Sequence, residues 1–196
     1  PTAPALLVRH ALRKAAASHS LLQPVALYLA FPMLPRMVVR AGASERLLRV
    51  WAQLALCQLS ESLTFFLSHR ALHSARALYA GVHKEHHVFA GSVSIAAEHA
   101  HPLEQVLGNY APVALAPALL GVSLPTWLTW LAWRLWATHE RHSGFDFSTT
   151  ALGRIGLLHG HGARYHDYHH TANCGNFGSG LDVFDVMCGT RVYPRC

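Results

Sequence analysis

The segment His166-Asp-Tyr-His-His170 decides the class of this chain, because it sets three histidines at positions i, i+3 and i+4. The same spacing recurs in His83-Lys-Glu-His-His87, and His69-Arg-Ala-Leu-His73 repeats its i, i+4 part. On a helix these positions share one face, with Cβ atoms about 5–6 Å apart. Each cluster can therefore direct two or three imidazoles toward one metal ion or toward two neighbouring ions.

The composition narrows the class of protein further. Of the 196 residues, 52% are hydrophobic and 13% are charged, and the mean hydropathy is +0.20. These values exclude a disordered chain and favour a membrane-associated protein over a water-soluble globule. The formal net charge of +6 is therefore interpreted as favouring contact with an anionic membrane surface, and nucleic acid is not expected as a partner. The four cysteines form no C-x-x-C pair, which argues against a disulfide framework or a thiolate zinc site.

Four apolar stretches predict the helices of a membrane bundle: residues 21–39, 47–67, 105–121 and 125–140. Because Gly121-Val-Ser-Leu-Pro125 interrupts the third apolar run, the last two stretches are expected to form a hairpin. The hairpin returns the chain to the side it left and places all three histidine clusters on one side, taken as cytosolic from the Lys/Arg bias. We expect an all-α integral membrane bundle of about four apolar helices, with a cytosolic histidine-rich cap that holds a dimetal site.

The eight histidines of the three clusters are too many for one tetrahedral zinc ion, so two metal ions that share them form the simpler hypothesis. Neutral imidazole binds zinc, copper, iron and nickel, and the spacing leaves the metal open. Iron is favoured on chemical grounds. Uncharged ligands keep the metal electron-poor, and an oxidative site with an apolar substrate explains a membrane setting.

Carboxylates near the clusters are candidates to hold the second nitrogen of a ligand imidazole. We expect this role for Glu61 and Asp167, ahead of the other nearby carboxylates, which are Glu85, Glu98, Glu104 and Glu140. Glu61 is singled out because a carboxylate near the end of a membrane helix needs a partner. The remaining histidines are not expected to bind metal; they are His10, His19, His99, His139, His159 and His161.

The three clusters, in this order around a hydrophobic hairpin, resemble the fatty acid hydroxylase/sterol desaturase superfamily of membrane di-iron oxygenases. Within it, the chain is most similar to the methylsterol (C-4 methyl sterol) monooxygenases. That similarity rests on further segments, which are Glu98-His-Ala-His-Pro-Leu-Glu104, His142-Ser-Gly-Phe-Asp146, Gly175-Asn-Phe-Gly-Ser179 and Asp185-Val-Met-Cys-Gly-Thr190. The resemblance covers roughly residues 55–192. It implies one domain over 1–196, with N-terminal helices in 1–54 and the catalytic histidine region in 55–192.

The resemblance implies that the eight cluster histidines bind two non-haem iron ions, with His101 and His142 as additional ligands. The expected ligands are His69, His73, His83, His86, His87, His101, His142, His166, His169 and His170. No catalytic residue beyond these ligands is implied. The implied enzyme uses O2 and electrons from NAD(P)H, delivered by cytochrome b5 or a similar donor. It sits in the endoplasmic reticulum membrane and oxidises a C–H bond of a sterol or lipid, in closest analogy the C-4 methyl group of a sterol precursor.

Two sets of alternatives stay open from the sequence. Other reactions of the same superfamily are fatty-acid hydroxylation, sterol C-5 desaturation and C-25 hydroxylation, and they share one oxidant, so the histidines do not separate them. A histidine-rich metal transporter or metal buffer is the alternative outside enzymes. Transporters tend to place ligands within their spans, whereas the clusters here lie beyond the predicted helix ends.

Overall fold

A computed structural model describes residues 3–30, 47–90, 93–155 and 161–193. Within these residues every regular element is helical and there is no β-strand, which confirms the all-α prediction for this part of the chain. The α-helices are α1 (Ala3–Ala17), α2 (Gln23–Ala30), α3 (Leu47–Ser74), α4 (Arg76–Gly81), α5 (Pro102–Glu104), α6 (Ala111–Leu120), α7 (Leu124–Arg141), α8 (Ala151–Arg154), α9 (His161–Ala172) and α10 (Val183–Met187). Short π-helical turns cover Ser18–Leu22 and Gln105–Tyr110, and 3-10 turns cover His83–Val88 and Ser94–Glu98.

The 28-residue helix α3 is the central support of the fold. It packs against α6, α7 and α10. Cys57 of α3 lies in a buried apolar cluster with Trp130 of α7. Because α3 continues past the apolar stretch predicted at 47–67, it carries His69 and His73 on successive turns at its C-terminal end.

Helices α6 and α7 form the hairpin that the Gly-Val-Ser-Leu-Pro interruption predicted. Gly121 follows α6 in the left-handed conformation, with φ of 56°, where a side chain would be disfavoured. The Ser123 side chain then caps the start of α7. Between the helices, the indole N–H of Trp130 donates to the carbonyl of Val113 at 3.0 Å. The hairpin thus returns the chain to the histidines of α3, where His142 follows the end of α7.

In the part of the chain that the structure describes, no helix has both the length and the apolar content needed to cross a bilayer. The described residues therefore do not contain the expected membrane-spanning helices. The third expected span is divided, since α6 has only 10 residues and a π-helical turn precedes it. The fourth coincides with α7, which has 18 residues and includes the charged Arg134, Glu140 and Arg141. Much of the first expected span, residues 31–39, lies outside the described residues.

Candidate metal centre

Five histidines from three parts of the chain converge at the C-terminal end of α3. We call them the five-histidine group: His69 and His73 of α3, His83 and His87 of the following 3-10 turn, and His169 of α9. One ring nitrogen from each lies within 4.8 Å of the corresponding atoms of the others. Three of the five side chains are buried and the remaining two are half-buried.

Four buried histidines form a second group beside the first. This four-histidine group consists of His86 of the 3-10 turn, His142 at the end of α7, and His166 and His170 of α9. Its ring nitrogens also lie within 4.8 Å of one another. The rings of His87 and His170 stack with centroids 4.6 Å apart, so the two groups are direct neighbours.

The local spacing explains how one cluster contributes to both groups. On α9 the i and i+4 histidines, His166 and His170, enter the four-histidine group, and the i+3 histidine, His169, enters the other. Residues i and i+4 stack on one face of a helix, whereas i+3 projects to one side of them. The cluster in the 3-10 turn is also divided, with His83 and His87 together and His86 apart. Side chains at i and i+3 eclipse in a regular 3-10 helix, so this division follows from packing and not from the local spacing.

The contacts between ring nitrogens in the five-histidine group fit a shared cation. The Nε2 atom of His83 lies 2.9–3.0 Å from the Nε2 atoms of three imidazoles, those of His69, His73 and His87. An imidazole nitrogen holds either one proton or one lone pair, so only one of these contacts can be a hydrogen bond. Nitrogens bound at about 2.1 Å to one metal ion are separated by about 3.0–3.4 Å, which is close to the observed spacing.

The four-histidine group has the same pattern of close ring nitrogens. The Nε2–Nε2 distance is 2.8 Å between His142 and His166, 3.1 Å between His166 and His170, and 3.4 Å between His86 and His142. In the five-histidine group, the buried Nε2 of His169 has no hydrogen-bond partner within the protein. These donor sets therefore fit two metal ions, one in each group.

Five of the nine imidazoles are oriented through their second ring nitrogen. Nδ1 of His83 donates to the Glu104 carboxylate at 2.7 Å. Four more donate through Nδ1 to backbone carbonyls, at distances of 2.6–3.2 Å: His69, His86, His142 and His169. A carbonyl oxygen only accepts, so each of these Nδ1 atoms carries the proton and each Nε2 keeps its lone pair for a metal.

For His83, Glu104 has the role that the sequence predicted for Glu61 and Asp167. Glu61 is fully buried, but its Oε1 accepts from Nε of Arg134 and from the hydroxyl of Ser179, both at 2.7 Å. It ties α3 to α7 and to the segment after α9. Asp167 is half-buried on α9, and its role stays a prediction. The signal that would have favoured Glu104 is its place at the end of the Glu98–Glu104 motif.

His101, the tenth expected ligand, lies outside both groups. Its Nδ1 accepts from the backbone N–H of Leu103 at 3.1 Å, so the side chain caps the short helix α5. Pro102 begins that helix directly after His101, and the cap holds the imidazole close to its own backbone. Four of the histidines not expected to bind metal also lie outside the groups, namely His10, His19, His99 and His139. His159 is not among the described residues.

Burial keeps the ligand imidazoles neutral near pH 7. Removal from water disfavours the charged form and lowers the pKa of His83 to about 4. Burial also lowers the pKa of His73 and of His142 to about 3, and repulsion from neighbouring imidazoles adds to the effect in both. Burial raises the pKa of Glu104 to about 7. The imidazole lone pairs are therefore available to metal ions without competition from protons.

An apolar cavity of about 320 Å³ lies close to the histidine groups. Helices α2, α6 and α7 contribute to its walls. A smaller chamber of about 30 Å³ reaches histidines of both groups. Three residues line both spaces, which are Ala97, Asn109 and Thr138. The larger cavity therefore shares part of its wall with the chamber that the histidines line.

The fold and the site together define a helical protein with two histidine groups, each able to hold a metal ion, next to an apolar cavity. A sequence profile of the fatty acid hydroxylase family matches residues 54–190. The chain belongs to this family.

Curated relatives bear the names of several lipid enzymes. A Dictyostelium discoideum protein named as a candidate methylsterol monooxygenase is 39% identical over 130 residues, which cover 66% of this chain and 47% of the relative. Methylsterol monooxygenase 2-2 of Arabidopsis thaliana is 36% identical over 144 residues, covering 72% and 53%. A very-long-chain aldehyde decarbonylase of Oryza sativa is 36% identical over 133 residues, covering 66% and 48%.

The chain thus spans about half the length of the curated relatives it matches. No solved structure shows a significant match to it.

Proposed function

We propose that the protein is an oxidoreductase, a monooxygenase that oxidises a C–H bond of a lipid with O2 at two iron ions, one in each histidine group. The observation that carries the proposal is the convergence of nine imidazoles, in two adjacent groups, beside an apolar cavity. When bound, the iron ions supply the activation of O2, with electrons from NAD(P)H delivered by a redox partner.

The chain contributes by holding the metal ions, orienting the ligand imidazoles and shielding the site from water. The Nδ1 hydrogen bonds fix five imidazoles as neutral ligands with Nε2 directed away from the backbone acceptors. Neutral ligands leave the positive charge of the metal ions uncompensated, which suits an oxidising site. The burial of seven of the nine rings limits the access of water to the reacting atoms.

The nearby cavity supports an apolar substrate. Its lining is mostly hydrophobic, and its volume is typical of a small-molecule site. Several polar side chains interrupt the apolar wall, among them Arg134, Gln105 and Glu98. The carboxylate of Glu98 lies 3.3 Å from Nε2 of His19 and 3.4 Å from Nε2 of His139. A substrate hydroxyl could donate to this carboxylate while the hydrocarbon fills the rest of the cavity.

The names of the relatives support a sterol as this substrate, since two of them are named methylsterol monooxygenases. The specific proposal is oxidation of the C-4 methyl group of a sterol precursor. A cytochrome b5-like protein is proposed as the electron donor. The endoplasmic reticulum membrane, with the histidines on the cytosolic side, is the proposed location.

The test is a reconstituted reaction with the iron-loaded protein, NADPH, a reductase and cytochrome b5. With a 4-methyl sterol, the proposal predicts O2 uptake and a product that carries one 18O atom from 18O2, measured by mass spectrometry. Conversion of a fatty acid or of another sterol position instead would move the assignment to another reaction of the family. One exchangeable zinc ion per chain without O2 uptake would refute the proposal and favour a metal transporter or buffer.

A further inference from the structure

The segment between α9 and α10 supplies the acceptors for two ligands of one group. Nδ1 of His69 donates to the carbonyl of Phe177 at 2.8 Å, and Nδ1 of His169 donates to the carbonyl of Gly175 at 2.6 Å. Both histidines belong to the five-histidine group. The backbone of this segment therefore fixes the orientation of two of that group's five imidazoles.

A fully buried carboxylate, Asp185 of α10, holds this segment in place. Its Oδ1 accepts from the backbone N–H of Phe177 at 2.9 Å and from the hydroxyl of Thr190 at 2.7 Å. Its Oδ2 accepts from the backbone N–H of Gly178 at 2.7 Å. A Cβ atom at position 178 would lie 2.9 Å from Oδ2, so glycine is needed for this close approach.

The same peptide group connects Asp185 to a ligand imidazole. The peptide between Phe177 and Gly178 donates its N–H to Asp185 and accepts from His69 through its C=O. A carboxylate that accepts from a peptide N–H polarises the peptide and strengthens its carbonyl as an acceptor. The charge of Asp185 thereby strengthens, across one peptide unit, the hydrogen bond that orients His69.

His169 is held by a parallel arrangement. The peptide that carries the Gly175 carbonyl donates its N–H, that of Asn176, to the carbonyl of Thr190 at 2.9 Å. The Thr190 hydroxyl in turn donates to Asp185. Both supported imidazoles are thus linked to one buried carboxylate.

Two of the four imidazoles in the four-histidine group take their orientation from other acceptors. Nδ1 of His86 donates to the carbonyl of His99, and Nδ1 of His142 donates to the carbonyl of Thr138. Neither acceptor belongs to the segment that Asp185 holds. The hydrogen bonds that Asp185 supports through this segment therefore reach the five-histidine group, through His69 and His169.

We propose that Asp185 is a positioning residue for the metal ion of the five-histidine group, acting through the peptide groups of residues 175–178, and that it selectively sets the affinity of that site. The inference rests on the proposed function only in requiring that both groups bind metal. It makes the two sites separable: one site can be weakened while the other stays intact.

The test uses the full-length, metal-free protein titrated anaerobically with Co²⁺, with visible absorption as the readout. Asp185→Asn retains the size of the side chain but replaces one acceptor oxygen by an amide donor. The variant is expected to weaken one of the two Co²⁺ sites by about 10- to 100-fold and to leave the other unchanged. Asp182→Asn is the matched control, because Asp182 is 45% exposed and pairs with Arg191 at 3.0 Å. It is expected to bind both ions as the wild type does.

A His142→Ala background identifies the affected site. That variant keeps the five-histidine group complete, so Asp185→Asn is expected to weaken its remaining tight site by the same factor. Unchanged affinity at both sites, or equal weakening of both, would overturn the inference while leaving the proposed function in place. A wild-type protein that binds no Co²⁺ would instead refute the proposed metal sites themselves.

A milder variant covers the case in which Asp185→Asn fails to fold, as judged by circular dichroism. Thr190→Val removes one of the three hydrogen bonds to the carboxylate and leaves its charge in place. It is expected to weaken one Co²⁺ site by about 3- to 10-fold, less than loss of a direct partner. Two unaltered sites in a folded Thr190→Val protein would count against the inference.

Discussion

Replacement of Glu104 tests whether the histidine groups are metal sites. Glu104→Ala removes the carboxylate that accepts from Nδ1 of His83 at 2.7 Å. His83 is fully buried, and its Nε2 contacts the Nε2 atoms of three other imidazoles in the five-histidine group. Loss of the orientation of His83 is therefore expected to lower the metal affinity of the five-histidine group more than that of the four-histidine group.

The size of the effect follows from the contacts of His83. Loss of a hydrogen-bond partner of a metal-bound histidine costs about 10- to 100-fold in metal affinity, which corresponds to about 1.4–2.8 kcal/mol. The value agrees with the cost of about 1–3 kcal/mol for a buried donor without an acceptor. Glu104→Gln retains an amide oxygen that can accept from Nδ1, so its loss of affinity is expected to be smaller than that of Glu104→Ala.

The assay is an anaerobic Fe²⁺ titration of the metal-free wild type and the two variants, followed by calorimetry. Glu98→Gln serves as the control, because Glu98 pairs with His19 and His139 and contacts neither histidine group. We expect the order wild type and control, then Glu104→Gln, then Glu104→Ala. Wild-type affinity at both sites in Glu104→Ala would refute the reasoning from the Nδ1 hydrogen bonds.

Three further predictions concern turnover, the cavity and pH. His169→Ala removes one ligand and is expected to lower lipid oxidation by more than about 100-fold with an unchanged circular dichroism spectrum; retained turnover would contradict the site. Ala97→Phe places a large side chain where the cavity and the chamber share their wall, so product formation should fall. The metal content, measured by plasma mass spectrometry, should stay at two ions, and loss of the metals would contradict this prediction. Burial lowers the pKa of His73, His83 and His142 below the ordinary value of 6.5, so below about pH 6.5 the unfolded chain binds more protons than the folded one. The metal-free protein should therefore have its full stability above pH 6.5 and lose stability as pH falls toward 4, and a thermal midpoint that is the same at pH 7.5 and pH 5 would argue otherwise.

The sequence predicted the site best where the information is local. The spacing within the three clusters identified the histidines that converge, and the structure brings nine of the ten expected ligands into two groups. The division between the groups was not predicted, because it depends on how α3, α7 and α9 pack. His101 shows the opposite case: its resemblance to a ligand position was outweighed by a local cap on α5.

The carboxylates show why longer-range features escaped prediction. Glu61 was expected to hold the second nitrogen of a ligand imidazole, but it pairs with Arg134, 73 residues away in the chain. Glu104 is 21 residues from His83, and only the return of the chain after the Ser94–Glu98 turn brings them together. In the fold, the positions of α3, α6 and α7 followed from the apolar stretches and from Gly121. The described helices do not have the expected membrane spans, because α6 has only 10 residues and α7 carries charged residues.

The central claim is that each histidine group binds one metal ion. Anomalous X-ray scattering at the iron absorption edge, recorded from crystals of the iron-loaded protein, tests it most directly. The account predicts two iron peaks per chain, one within bonding distance of the ring nitrogens of His69, His83 and His169, and one similarly placed between His142, His166 and His170. A single peak, or peaks remote from these imidazoles, would contradict it.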